Sequence, residues 1–193
     1  MKVVGVGCGP GMLTEAAIAA IRDAGQIYGS ERAIVRAAAY IRADCPVHAI
    51  KDYKALRSLP DTAVVLSTGD PMLAGLGYLG GDVISGISSY QYACAKLGVP
   101  MTKTVIVNAH AKDHEQAFED IIFEIRRGKT AFVIADPVFD VASLVKQLNE
   151  EQLDCSIAVC EQLGYPDESI RMGDVHEPPR PSSSLFVVFA GFL

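Results

Sequence analysis

Three loops rich in glycine and small polar residues each follow an apolar segment, and they are the part of the sequence best suited to bind a ligand. The first is GVGCGPGM, from Gly5 to Met12, and the other two are Gly69-Asp70-Pro71 and Gly86-Ile87-Ser88-Ser89. Glycine allows a backbone to approach a ligand or another backbone closely. Because open α/β sheets bind ligands at the carboxyl ends of their strands, these loops predict a ligand site there.

The first loop does not fit the dinucleotide fingerprint G-x-G-x-x-G. Its third glycine would fall on Pro10 or Met12, depending on the register. Motif I of the Rossmann-type methyltransferases resembles Gly-Cys-Gly-Pro-Gly closely, and in that alternative Glu31 is a loose match for the acid that binds ribose. This alternative stays open, and it predicts one seven-stranded sheet.

Asp70 is the candidate functional carboxylate. It lies just beyond the apolar strand predicted at Thr62–Ser67, and Pro71 suits the first position of a following helix. A carboxylate at a helix N-terminus is favoured in its ionised form. A simple turn is the usual structure of Gly-Asp-Pro taken alone, but the surrounding sequence favours a function.

Other polar residues are expected to have structural roles. Ser88 or Ser89 can cap the helix that follows them. His110 and His114 lie four residues apart, but two ligands do not make a metal site, so we expect solvated histidines and no protein-bound metal. Arginines on predicted helices, such as Arg36, are expected to solvate a helix face.

The composition excludes several classes of protein. The chain has 193 residues, of which 50% are hydrophobic, and a net charge of −6, so it can build a substantial core but lacks the basic surface that nucleic acid binding requires. Its five cysteines form no C-x-x-C pair, no leader precedes the first strand, and no apolar run is as long as a membrane span. We therefore expect a globular cytoplasmic protein that binds neither nucleic acid nor membranes.

Strand and helix patterns predict an α/β fold in two domains. Residues 1–108 alternate apolar strands with amphipathic helices, which predicts a mainly parallel sheet. The most polar break, Asn108–Asp113 (NAHAKD), marks the predicted boundary. In residues 109–193 the strands are closer together and helices are fewer, which predicts an α/β domain with a mixed sheet.

Six segments taken together resemble the tetrapyrrole methylase family. They occur in order over nearly the whole chain: VGVGCGPGMLTEAAIAAI, YGSERAI, LSTGDPMLAGLG, GISSYQYACAKLGVP, TAFVIADP and VCEQLGYPDESI. Within the family, the YGSERAI and CEQLGYPDESI blocks are most similar to the branch that methylates C5 of a precorrin in cobalamin biosynthesis.

The resemblance implies a fold, a cofactor and a set of site residues. The family fold has two α/β domains, with the active site in the cleft between them and S-adenosylmethionine as methyl donor. Methyl transfer to carbon is an in-line displacement that depends on alignment, so no catalytic side chain is expected. The resemblance assigns the cofactor to Cys8, Gly69, Asp70, Leu73, Ser88, Ser89, Ala135 and Leu163. It assigns the substrate to Gly9, Pro10 and Gly11.

The resemblance also implies partners and leaves alternatives. The substrate would be a carboxylate-rich corrinoid precursor, with or without cobalt, and a homodimer is expected. The C15-methylating and decarboxylating activity would belong to a separate protein, since 193 residues leave no room for that domain. One departure is that only Met12 separates Gly-Pro-Gly from Leu13-Thr14, where relatives have a longer insert. A methylase for another tetrapyrrole position, a diphthine synthase-like enzyme and a corrinoid-binding protein without catalysis are the alternatives.

Overall fold

The structure, a computed structural model, describes residues 1–110 and 113–193. The chain divides into two compact units, Met1–Ser89 and Tyr90–Leu193. This division comes earlier than the boundary predicted after Asn108, because the strand Thr104–Asn108 pairs with Thr130–Ile134 and belongs to the sheet of the second unit. Two residues of the predicted polar break, 111 and 112, lie outside the described residues.

The first unit is built on a five-stranded sheet. Its strands lie in the order β3-β2-β4-β1-β5, and every neighbouring pair is parallel. The strands are β1 (Lys2–Gly5), β2 (Gln26–Gly29), β3 (Val47–Ala49), β4 (Ala63–Ser67) and β5 (Asp82–Ile84), and the helices are α1 (Glu15–Arg22) and α2 (Glu31–Ala37).

Local sequence accounts for these elements. Thr14 caps α1, since its side chain accepts a hydrogen bond from the Ala17 backbone N–H. Ser30 caps α2 in the same way. All five residues of β4 are buried, as expected for a parallel strand covered on both faces. The carboxyl ends of β1, β4 and β5 therefore lie side by side at one edge of the sheet.

The second unit contains a mixed five-stranded sheet in the order β6-β7-β10-β8-β9. Strands β6 and β7 are parallel, whereas β10 is antiparallel to both β7 and β8, so β6, β7 and β8 all run in one direction. Helix α3 begins at the last residue of the first unit. The elements are α3 (Ser89–Leu97), β6 (Thr104–Asn108), α4 (His114–Arg126), β7 (Thr130–Ile134), α5 (Val141–Glu150), β8 (Ser156–Glu161), β9 (Ser169–Asp174) and β10 (Phe186–Gly191).

Two sequence-based expectations fail at the level of local structure. No helix begins at Pro71: residues 71–74 form turns, and only a short 3-10 helix follows at Leu76–Leu79. Two five-stranded sheets also replace the single seven-stranded sheet that the Rossmann-type alternative predicted. Within the described ranges, none of the helices has both the length and the apolar character needed to cross a membrane.

Candidate functional site

The loops after β1 and β4 are joined directly through their backbones. The Gly69 N–H donates to the Gly7 carbonyl at 2.7 Å, and the Gly7 N–H donates to the Gly69 carbonyl at 3.2 Å. Just before this bridge, the Val6 N–H donates to the Ser67 carbonyl at 2.9 Å. The glycine-rich loop and the Gly-Asp-Pro loop therefore form one continuous backbone surface.

Three glycines bring the loop after β5 into the same contact. A Cβ on Gly5 would lie 2.5 Å from the Gly86 nitrogen and 2.8 Å from the Gly69 carbonyl oxygen. A Cβ on Gly86 would lie 2.3 Å from that same oxygen. Since these neighbours are backbone atoms that cannot move aside, only glycine fits at positions 5 and 86. We call Gly5, Gly69 and Gly86 the glycine junction.

Asp70 holds two of the three loops together. Its Oδ1 accepts a hydrogen bond from the Met72 N–H at 2.8 Å, and its Oδ2 accepts one from the Gly86 N–H at 3.0 Å. The carboxylate is therefore stabilised by two specific backbone donors, and the predicted helix N-terminus plays no part. Hydrogen bonds to a charged acceptor are about twice as strong as neutral ones, so Asp70 fixes the Gly-Asp-Pro loop against the loop after β5.

Space beside Gly69 remains open. Gly69 has a φ of +68°, and a Cβ there would meet only the Ser88 Cα, at 3.9 Å. Ser88 is buried immediately before α3, of which Ser89 is the first residue. Leu73 is half-buried, and its N–H donates to the Asp70 carbonyl at 3.2 Å. Five of the predicted cofactor residues thus lie on two adjoining loops.

The shortened first loop turns back on itself. The Cys8 Sγ lies 3.4 Å from the Met12 Sδ, and a Cβ on Gly7 would lie 2.5 Å from the Met12 Cβ. Gly9 is buried, whereas Pro10 and Gly11 are exposed. Met12 fills the inner side of the turn, so two of the three predicted substrate residues, Pro10 and Gly11, are presented to solvent, whereas Gly9 is not.

Arg36 on α2 contacts this loop, which the sequence did not predict. Its guanidinium donates to the Gly7 carbonyl and, at 2.6 Å, to the Cys8 carbonyl. An isolated arginine 28 residues away from the loop carries no local signal of such a contact. The expectation that Arg36 solvates a helix face is therefore wrong.

The remaining predicted cofactor residues belong to the second unit. Ala135 directly follows β7, and Leu163 lies two residues beyond β8. Since β7 and β8 run in the same direction, both residues lie at one edge of the second sheet. Leu163 is buried, Ala135 is half-buried, and Gln162 between β8 and Leu163 has a φ of +48°.

Glu161, the last residue of β8, is a buried carboxylate that anchors the Pro/Ser segment before β10. The backbone N–H groups of Ser182 and Ser183 each donate to its Oε1 at 2.6 Å, and Arg171 forms an ion pair with its Oε2. Burial raises the pKa of Glu161, but these hydrogen bonds outweigh it and hold the pKa below the usual glutamate value. These contacts hold the CEQLG segment, residues 160–164, in place at Glu161.

The histidines differ from one another. The His114 Nε2 lies 3.2 Å from the Asp136 Oδ2, and its ring packs edge-on to Phe139 at 5.3 Å between centroids, so His114 is not simply solvated. His110 is exposed, as expected. Among residues 1–110 and 113–193, no group of three or more His, Cys, Asp or Glu side chains could hold a metal ion. Glu31 is exposed in the first turn of α2.

Comparisons with known proteins agree with this architecture. A family model of the Tetrapyrrole (Corrin/Porphyrin) Methylases matches residues 2–179. Cobalt-precorrin-7 C(5)-methyltransferase of Salmonella typhimurium is 30% identical in an alignment that covers 58% of this chain. The aligned part spans only 62% of that relative's own length.

Solved structures match over the full length. A precorrin-6Y methylase of cobalamin biosynthesis from Archaeoglobus fulgidus is 25% identical with a TM-score of 0.77, covering 100% of this chain and 98% of that one. The methyltransferase CobJ gives a TM-score of 0.79 at 18% identity, covering 99% and 93% of the two chains, and at this identity it supports the fold alone. The tetrapyrrole methylase fold predicted from the sequence is confirmed.

Proposed function

Because this chain belongs to the tetrapyrrole (corrin/porphyrin) methylases, we propose that it transfers a methyl group from S-adenosylmethionine to C5 of a precorrin or cobalt-precorrin in cobalamin biosynthesis. The structural observation that carries the proposal is the glycine junction. It fixes three loops backbone to backbone at the carboxyl ends of neighbouring parallel strands, where α/β sheets bind ligands.

The name of one similar protein supports the position of methylation, and the name of a second supports the class of substrate. The Salmonella relative is named for C5 methylation of cobalt-precorrin-7, and the Archaeoglobus structure for methylation of precorrin-6Y. The YGSERAI and CEQLGYPDESI blocks of the sequence point to the same branch. The anchoring of Glu161 gives the second block a fixed conformation next to Leu163.

The residues at the junction fit an adenosyl cofactor. The space beside Gly69 would be filled by any side chain at that position, so glycine keeps it open for a ligand. The Ser88 Cα lies beside this space, and Cys8 and Leu73 follow the bridged Gly7 and Gly69 closely in the chain, so the nearby residues are small or apolar, which suits a ligand with one sulfonium and a ribose. We propose that these residues hold the cofactor together with Gly69, Asp70, Ser89, Ala135 and Leu163, and that Gly9, Pro10 and Gly11 contact the substrate.

The chain's own residues would contribute alignment. When bound, S-adenosylmethionine supplies an electrophilic methyl group, so the protein needs no side-chain nucleophile. Loops held by the glycine junction can keep the reactants in a fixed relative geometry, which accounts for much of the rate of such reactions. Asp70 would act through the loops that it joins, since both of its oxygens accept backbone N–H groups.

Calorimetric titration with S-adenosylhomocysteine tests the proposal. We expect saturable binding that Asp70→Ala weakens and that Glu31→Ala leaves unchanged, since the Glu31 side chain is exposed in the first turn of α2. Dependence on Glu31 would favour the Rossmann-type cofactor site. Binding of a corrinoid without any binding of S-adenosylhomocysteine would favour a corrinoid carrier.

Activity assays on a reduced corrinoid precursor then test the substrate. Methylation at C5 supports the proposal, whereas methylation at another position or of a protein side chain would support one of the alternative methylases. A homodimer, a cytoplasmic location and a separate C15-methylating and decarboxylating protein remain predictions that accompany it.

A further inference from the structure

Arg36 joins helix α2 to the glycine-rich loop. It lies in the last turn of α2 and is half-buried, with two guanidinium nitrogens directed at two successive carbonyl groups of the loop. A planar guanidinium presents its donors in a rigid fork, so it can satisfy two neighbouring acceptors at once. A lysine ammonium in the same place would contact one of them.

The two carbonyl groups belong to the residues on which the loop conformation depends. The Gly7 carbonyl accepts both from Arg36 and from the Gly69 N–H, which uses its two lone pairs. Gly7 itself has a φ of +80°, in the left-handed region that glycine adopts at little cost. The peptide after Gly7 can therefore rotate easily unless its carbonyl is held, and Arg36 holds it together with the Gly69 N–H.

A continuous set of hydrogen bonds leads from Arg36 to the proposed cofactor residues. Arg36 contacts Gly7, Gly7 pairs with Gly69, and the neighbouring Asp70 accepts from Gly86. A rotation of the Gly7 carbonyl would break the bridge to Gly69 and alter the open space beside it.

We propose that Arg36 is a positioning residue that fixes the glycine-rich loop in its binding conformation. It acts through the Gly7 and Cys8 carbonyls, and it does not touch the reacting atoms. The proposal rests on the function proposed above, because the loop it positions is the one assigned to cofactor and substrate. It also explains how a loop shortened to a single Met12 after Gly-Pro-Gly keeps a defined shape.

The test compares Arg36→Lys and Arg36→Ala with a matched control. The control is Arg22→Lys. Arg22 lies in the last turn of α1, as Arg36 does in α2, and the Arg22 guanidinium lies 5.7 Å from the centroid of the Tyr40 ring. Calorimetry with S-adenosylhomocysteine should show about a tenfold or greater loss of affinity for Arg36→Lys and a larger one for Arg36→Ala, since lysine can satisfy one of the two carbonyl groups and alanine neither. Arg22→Lys should bind like the unmodified protein.

Two further readouts separate positioning from simple stabilisation. Added guanidinium ion should restore part of the affinity of Arg36→Ala, since it can donate to the same carbonyls. Amide hydrogen exchange should become faster at Gly7 and Gly69, whose N–H groups form the bridge between the two loops, in Arg36→Lys, and should stay unchanged in β4. If Arg36→Lys lowers the thermal midpoint but leaves both affinity and loop exchange unchanged, Arg36 merely docks α2 and the proposal is overturned.

The exchange measurement also distinguishes this proposal from the function on which it rests. If the unmodified protein does not bind S-adenosylhomocysteine, the proposed function fails. Faster loop exchange in Arg36→Lys would still support positioning of the loop in that case, and unchanged exchange would overturn it.

Discussion

The substitution Gly86→Ala tests the glycine junction most directly. The added Cβ would lie 2.3 Å from the Gly69 carbonyl oxygen and 2.9 Å from the Gly5 Cα. Ordinary contact begins at 3.4 Å, so the loops would have to separate by 1.1 Å, the difference between 3.4 and 2.3 Å. Both neighbours are backbone, and no rotamer change can relieve the overlap.

The expected cost follows from this geometry. Overpacking typically destabilises by about 1–3 kcal/mol, and contact with rigid backbone places Gly86→Ala near the upper limit. Alanine offsets about 0.4–1 kcal/mol by restricting the unfolded chain, which leaves roughly 2 kcal/mol. At about 2–4 °C per kcal/mol, the thermal midpoint should fall by roughly 4–8 °C.

Thermal unfolding followed by circular dichroism measures the loss of stability, and calorimetry with S-adenosylhomocysteine measures the effect on the site. Gly25→Ala is the control, because its Cβ would come no closer than 3.1 Å to the Thr62 Cβ, a much milder overlap in the same unit, and Gly25 lies just before β2, at the amino ends of the strands. A Gly86→Ala protein that unfolds and binds ligand like the unmodified one would refute the close backbone contact.

Three other changes have distinct expected outcomes. Asp70→Asn replaces one acceptor oxygen with an NH₂ group that faces a backbone N–H. We therefore expect the free energy of unfolding to fall by about 1.5–3 kcal/mol and S-adenosylhomocysteine to bind more weakly. An unchanged urea midpoint would contradict this. Glu161→Gln should cost about 2–3 kcal/mol at pH 7 by leaving Arg171 without its charged partner, a cost reduced by the partial exposure of Arg171. Because the pKa of Glu161 is lowered in the folded state, its carboxylate contributes its full share of the unfolding free energy above the ordinary pKa of 4.5 and loses that share as the pH falls through the lowered pKa. The difference in unfolding free energy between the unmodified protein and Glu161→Gln should therefore be smaller in urea titrations at about pH 3.5 than at pH 7. Of the five cysteines, all within the described residues, Cys8 is the one that is not buried, and burial raises the pKa of the Cys160 thiol to about 12. The Cys8 thiol should therefore react fast with a disulfide reagent, and the other four slowly. Protection of Cys8 by S-adenosylhomocysteine would support its place in the site.

Local sequence was sufficient for most elements and for the position of the three loops. Thr14 and Ser30 cap the helices that follow them, and the run at Ala63–Ser67 is buried throughout because it lies inside a parallel sheet. The strand Val47–Ala49 was missed because all three of its residues are exposed at the sheet edge, so no apolar pattern marks it. A helix cap depends on residues a few positions apart in the chain, and the burial of a strand follows from its own run of apolar residues, so sequence patterns predict both.

The features that hold the loops together could not be predicted in the same way. Arg36 reaches carbonyl groups 28 and 29 residues away, and Asp70 reaches an N–H 16 residues away. The sequence predicted a role for Asp70 partly from a helix beginning at Pro71, and that reason is wrong, since turns and not a helix follow it. Contacts of this kind depend on the strand order β4-β1-β5, which local patterns do not specify.

The two hydrogen bonds that Asp70 accepts agree with the proposed methyl transfer from a sulfonium. A carboxylate directed at the sulfur would stabilise the charged reactant more than the transition state, in which the positive charge is dispersed, and would therefore slow the reaction. Here both oxygens of Asp70 are directed at backbone N–H groups, so its charge fixes the loops. Variants that loosen the loops, at Gly86 or Arg36, should consequently lower kcat together with cofactor affinity, because both depend on the same fixed geometry.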